Sequence, residues 1–127
     1  MVERILLDTN IIIHYVQGDD VFVNYLDKKI FDYAVLFVST ITITELYSKS
    51  DITKNEADLI DEFLSRVNII YVDSQIAKTA GFLRRISKIK TPDAIIAATA
   101  ICSNIILATE NDKDFINIEE LKLGKII

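Results

Sequence analysis

Short, wholly apolar runs alternating with helical segments predict an α/β domain whose mainly parallel central sheet is covered on both faces. Three observations carry this. Four runs, at Arg4 to Leu7, Ala34 to Ser39, Asn68 to Val72 and Ile105 to Ala108, are dominated by apolar residues with no regular alternation of polar ones, as strands buried on both sides are. Between them lie longer segments with apolar residues at helical spacing. Acids stand just after the first and fourth runs, where open parallel sheets bind ligands beyond the carboxyl ends of their strands.

In chain order, Arg4-Ile5-Leu6-Leu7-Asp8 reads as a buried strand with a polar tip, and Asp8-Thr9-Asn10 breaks the apolar pattern. Ile11 to Val16 fits either a helix or a strand. Asp20 can cap a helix that turns Phe22, Tyr25, Leu26 and Ile30 to one face. Ala34 to Ser39 is the second strand. The Thr/Ile alternation from Thr40 to Thr44 has period two and by propensity alone would extend it.

Thr53-Lys54-Asn55-Glu56 is a capping box. Ala57, Ile60, Phe63, Leu64 and Val67 then face inward, and Asp58, Asp61, Glu62 and Arg66 face water. Asn68 to Val72 is the third strand. Ser74 opens a helix with Ile76, Ala80, Leu83 and Ile86 inward. Thr91 is placed as the N-cap of the next helix, with Pro92 at its first position and Asp93 in its first turn. The residues after Asp93 are almost all apolar or small, so this helix is covered on most sides and runs to about Ser103. Ile105 to Ala108 is the fourth strand, Thr109 to Phe115 a polar loop or single turn, and the tail from Ile116 leaves room for a short last strand.

The 127 residues make one domain with room for a core. Half of them are hydrophobic and the mean hydropathy is +0.29, a surplus that fits an oligomer or partner interface. One cysteine excludes an intrachain disulfide, and Cys102 lies in an apolar helix as a core residue. No basic, apolar leader opens the chain, so no signal peptide is expected. The longest uncharged run, Ala94 to Thr109, is too short to span a membrane. These features lead to an intracellular, cytoplasmic reading. The net charge of −5 disfavours nucleic-acid binding by bulk charge and leaves open a nuclease whose acids are neutralised by metal.

Four motifs in order resemble those of the PIN domain: Asp8-Thr9-Asn10, Thr44-Glu45-Leu46, Thr91-Pro92-Asp93-Ala94, and Thr109-x-Asn111-x-x-Asp114-Phe115. Length and motif order resemble its VapC toxin branch, over essentially the whole chain. The resemblance implies a three-layer α/β/α sandwich and a metal-dependent endoribonuclease with an acidic pocket for Mg²⁺ or Mn²⁺. Residue by residue, Asp8, Glu45 and Asp93 match the three core acids. Asp114 matches the variable fourth, with Asp112 competing. Thr9, Asn10 and Asn111 match supporting polar positions, and Thr91 stands in the third motif. The family places Glu45 on a helix, which overrules the strand reading of residues 41 to 44. Lys49 stands where a glycine often follows the Glu-Leu pair. The resemblance also implies a homodimer and a VapB-like antitoxin that blocks the pocket.

The residue types suit that chemistry. Mg²⁺ takes oxygen ligands, one or two carboxylates plus substrate phosphate, and one histidine with one cysteine cannot build a usual zinc site. Two carboxylates about 5 Å apart repel by roughly 3 kcal/mol at an effective dielectric near 20, so the pocket wants a cation or a proton. No catalytic triad and no phosphate-binding Gly-rich loop is present. Two other readings compete: a PIN fold used only for binding, and another acid-cluster phosphohydrolase or receiver domain. The latter ranks low because Asp8 stands without a neighbouring acid.

Among single residues, His14 is read as a surface or partly buried histidine. Lys78, Arg85 and Lys88 share a helix face, with Arg84 and Lys90 nearby, and form either an RNA phosphate track toward Asp93 or a solvated face. Lys28 and Lys29 are a helix-end charge pair. Tyr25, Tyr33 and Tyr47 are assigned to packing, and Asp73, Glu119 and Glu120 to solvent.

Overall fold

The computed structural model describes residues 2–126, which form five strands and six helices. In order these are β1 (Arg4–Leu7), α1 (Thr9–Val16), α2 (Asp20–Phe31), β2 (Val35–Ser39), α3 (Thr40–Leu46), α4 (Lys54–Ser65), β3 (Asn68–Ile70), α5 (Ser74–Ile86), α6 (Thr91–Ser103), β4 (Ile106–Ala108) and β5 (Leu123–Gly124), with a 3₁₀ turn at Asp112–Asp114 before β5. All pairings in the sheet are parallel and its order is β3-β2-β1-β4-β5. No helix of the described residues is long and apolar enough to cross a membrane.

Successive residues of β1 point to opposite faces, and both faces are covered. Ile5 and Leu7 pack with Ile11, Ile12, Leu26 and Phe63 under α1, α2 and α4. Leu6 packs on the other side with Leu83, Ala97 and Phe115 under α5 and α6. All three β1 residues are at most 1 % exposed. This is the three-layer sandwich predicted, and the unbroken apolar strands are its direct cause.

The ambiguous stretches resolve as helix. Residues 11 to 16 belong to α1, because Asp8 supplies an N-cap through its side chain. The Thr/Ile segment folds as α3, capped by Ser39, whose hydroxyl accepts from the Ile41 N–H at 3.3 Å. Thr42 and Leu46 are buried while Thr44 between them is exposed, the helical pattern; a strand would turn all three to one face.

Cap positions differ by a residue at two helix starts. Asp19, not Asp20, caps α2 through its bond from the Val21 N–H. Ser74 opens α5 as expected, and Asp73, exposed as read, also caps it, accepting from the Ile76 N–H at 2.9 Å. Thr91 does not cap α6; Lys90 holds that position with no side-chain bond, which moves Thr91 to the first and Pro92 to the second helical position. Pro92 still needs no hydrogen-bond partner there. Two residues expected inward, Ile30 and Ile86, lie in the last turns of α2 and α5 and are 47 % and 62 % exposed. Thr53 caps α4 as the capping box predicts.

Candidate active site

The strand order sets the place of the site. From β1 the chain moves outward to β2 and β3, then returns to β4 on the other side of β1. The connections after β1 and β4 therefore leave in opposite directions and open a crevice at their carboxyl ends.

Asp8 follows β1 directly, and its N–H still donates to Ala108 O at 3.0 Å. One carboxylate oxygen accepts from the Thr9 N–H at 2.8 Å and the other from the Thr109 hydroxyl at 2.7 Å. The side chain is 4 % exposed. Burial pushes its carboxyl above the ordinary range, against the pull of those two bonds, and the charges of Glu45 and Glu110 push the same way.

Glu45 stands in the last turn of α3. Its Oε1 accepts from the Thr9 hydroxyl at 2.7 Å, and that same oxygen of Thr9 lies 2.9 Å from Thr42 Oγ1. Thr9 thus ties the first acid's loop to the second acid. Asp93 sits in the first turn of α6. Its carboxyl is pushed up to about 6, first by burial and then by the charges of Asp8, Asp114 and Glu45; Lys90 opposes the rise. Three acids from three separate elements thus bear on the fourth.

Asp114 and Asp112, the two candidates for the fourth acid, lie in different places. Phe115 is 1 % exposed and anchors the loop after β4 in the core beneath α5 and α6. Asp114, one residue earlier, lines a cavity of about 320 Å³ together with Asp93, Lys88, Lys90 and Asn117. Asp112 lines a different cavity, beside Asp19 and Glu110. The structure therefore groups Asp114, and not Asp112, with Asp93.

The supporting residues separate in the same way. Thr9 bridges Asp8 and Glu45. Asn10 is half-buried at the second position of α1, and Asn111 contributes its backbone N–H, which donates to Thr109 Oγ1 at 3.0 Å. Thr91 is exposed and makes no cap. Two buried hydroxyls had no role assigned: Thr42, which meets Thr9, and Thr109, named only within the fourth motif, which donates to Asp8. The signal for Thr109 was a hydroxyl residue just after an apolar strand whose partner strand ends in an acid. His14 stacks on Phe22 at 4.5 Å and lies 2.9 Å from Glu110 Oε1, apart from the four acids. Lys88 lies beyond the end of α5 and so does not share a helix face with Lys78 and Arg85. Lys49 pairs with Glu56 at 2.7 Å. Cys102 is half-buried against the α5–α6 core with its sulfur 3.5 Å from Thr79 Oγ1.

Among the described residues no three acid, histidine or cysteine side chains close into a ready-made cage. The donor set is all carboxylate oxygen, with charges that repel one another. This fits a hard divalent cation held by one or two carboxylates with water and phosphate completing its shell, the manner in which Mg²⁺ binds.

Fold and site together define a doubly wound α/β domain with an acidic crevice at its switch point. A model of the PIN domain matches residues 5–121, and the chain belongs to the PIN domain family. Solved toxin–antitoxin complexes place it among the VapC-like members. It is similar to a chain of VapBC2 from Rickettsia felis bound to a promoter DNA fragment, at 30% identity over 96% of this chain and 98% of that one, with a TM-score of 0.83. A toxin–antitoxin complex from Klebsiella pneumoniae matches at 33% identity over 91% and 93%, TM-score 0.78. VapBC-1 from nontypeable Haemophilus influenzae matches at 27% over 97% and 98%, TM-score 0.82. No curated protein sequence matches the chain.

Proposed function

We propose that this PIN domain is a Mg²⁺- or Mn²⁺-dependent endoribonuclease, the toxin of a type II toxin–antitoxin pair acting in the cytoplasm. The observation that carries the reading is two pairs of acids on four separate segments: Asp8 and Glu45 joined through Thr9, and Asp93 and Asp114 lining one cavity, with the charges of the first pair felt at Asp93. Asp8 and Asp93 are the residues that would hold the ion. When bound, the ion supplies positive charge that steadies the phosphodiester oxygens and makes water a better nucleophile. Glu45 is positioned by Thr9 to hold and deprotonate the attacking water, and Asp114 shares that task or a second ion. Thr109 donates to the buried Asp8 and so offsets part of the rise that burial gives its carboxyl.

The toxin–antitoxin complexes that the chain resembles support a VapB-like antitoxin as its partner. The exposed Phe31, Tyr33, Tyr71, Ile86 and Ile116 offer apolar surface for that partner or for a homodimer.

The test is cleavage of labelled single-stranded RNA by antitoxin-free protein with Mn²⁺, with Mg²⁺ and with EDTA, comparing wild type with Asp93→Asn. Cutting with metal, none with EDTA and a loss of at least about 100-fold in the variant are expected. Folded wild type that cuts none of several RNAs with either metal would remove the enzyme reading.

A further inference from the structure

The cavity beside Asp93 has two unlike walls. One carries Asp93 and Asp114; the other is the segment from Ser87 to Lys90 that joins α5 to α6, with Asn117 at the rim. This segment is held at three points. The Ser87 hydroxyl donates to Leu83 O at 2.8 Å. Ile89 is 8 % exposed and sinks into the core. The Arg84 Nε donates to Ile89 O at 3.3 Å. Lys90 is extended, with φ −71° and ψ 153°. Ile89, largely buried, lines the cavity between Lys88 and Lys90, which are exposed and line it too.

These two lysines differ from the other cations nearby. Arg84 is turned back onto the Ile89 carbonyl, and the Arg85 guanidinium sits over the Phe82 ring at 5.5 Å. Among the described residues Lys88 and Lys90 make no ion pair within 4 Å, although Lys90 is near enough to Asp93 to oppose its rise. Two unpaired ammonium groups held against a pair of acids suit a ligand with an anionic part and a bound cation together.

We propose that Lys88 and Lys90 form a seat for a backbone phosphate of a single RNA strand, next along the strand from the phosphate at Asp93 and Asp114. The proposal rests on the nuclease reading. In it the carboxylates and their cation take the bond to be cut, and the lysines take the neighbouring phosphate. A lysine ammonium is a point charge without base preference, so the seat fixes the register and direction of the strand and leaves sequence choice elsewhere.

The experiment uses the antitoxin-free chain with Lys88→Ala and Lys90→Ala together, and Lys88→Arg with Lys90→Arg as the charge-keeping control. Steady-state cleavage of a labelled single-stranded RNA with Mn²⁺ is measured from 50 to 200 mM KCl, and binding of the same RNA is followed by fluorescence anisotropy in EDTA. The alanine pair should raise KM and weaken binding in EDTA by about 10-fold, and leave kcat within about 2-fold. The slope of log affinity against log salt should become shallower by about 0.7, one single-strand phosphate contact. The arginine pair should restore the slope. Cleavage by wild type with KM and slope unmoved in the alanine pair overturns the seat and leaves the nuclease standing. Lysine-dependent binding in EDTA by a wild type that cuts with neither metal keeps the seat and removes the nuclease.

Discussion

Thr109 holds two groups with one hydroxyl: it donates to Asp8 at 2.7 Å and accepts from the Asn111 N–H at 3.0 Å. Thr109→Val keeps the shape and removes both bonds, so Asp8 loses a donor that offsets its burial. Cleavage with Mn²⁺ should fall about 10- to 100-fold, the usual cost of losing a partner behind a metal-holding group, and Thr109→Ser should recover most of it. Equal activity in the valine variant would show that Asp8 does not depend on this bond. Asp93 makes a second prediction, in EDTA and without RNA. Its carboxyl rises from 3.8 to about 6 on folding. The folded chain therefore holds that proton more tightly. The resulting stability is fully present below about pH 4 and is lost as pH rises through 6. At neutral pH the folded chain carries a partly buried charge among like charges. Two units would be about 3 kcal/mol, which partial exposure reduces to about 1–2. The dipole of α6 favours the charged form by about 0.3–1 kcal/mol, so relief of repulsion wins. Asp93→Asn should raise the midpoint of thermal unfolding by several degrees at pH 7.5 and leave it near wild type at pH 4. A variant less stable than wild type at pH 7.5 would mean that the helix dipole outweighs burial and repulsion at this carboxylate.

Helix starts are the least legible feature because capping is decided by backbone angles, and two of these starts offer neighbouring residues that could each cap. Asp19 and Asp20 stand together, as do Asp73 and Ser74, while at α6 the residue in the cap position, Lys90, has no acceptor to cap with. The interior of each helix was legible because burial repeats every three to four residues, as at Ile76, Ala80 and Leu83. α3 was not legible from propensity, since its β-branched residues favour a strand and tertiary burial of Thr42 and Leu46 overrides that preference. The family resemblance supplied what local pattern could not. The difference between a capping and a merely adjacent residue is measurable. Asp73→Ala should lower stability by about 1 kcal/mol, and Thr91→Ala should change it by less than about 0.5 kcal/mol. Both should leave cleavage per folded molecule unaltered. A cost near 1 kcal/mol for Thr91→Ala, read from urea unfolding, would restore Thr91 as the cap.

At the scale of the molecule, the crevice exists because β1 lies in the middle of the sheet and its neighbours' connections part over it. The apolar runs made a parallel sheet legible, but not its order, since every strand is apolar and no local feature says which lie side by side. The acids were legible as a group only through that order, or through the motifs that stand for it. If the crevice holds the proposed ion, the same arrangement links metal binding, pH and stability. A divalent ion that binds the folded chain and not the unfolded one adds about 2.7 kcal/mol at 100 times its dissociation constant. For 127 residues that is a rise of roughly 10 °C in the unfolding midpoint. The ion must displace the proton that Asp93 binds near pH 6, so affinity should fall as pH drops below that value. Thermal unfolding at one fixed Mn²⁺ concentration, saturating at pH 7.5, should therefore show a large rise at pH 7.5, a much smaller one at pH 5, and little at either pH in Asp93→Asn. An equal rise at both pH values, retained in the variant, would place the ion elsewhere on the chain and separate metal binding from this crevice.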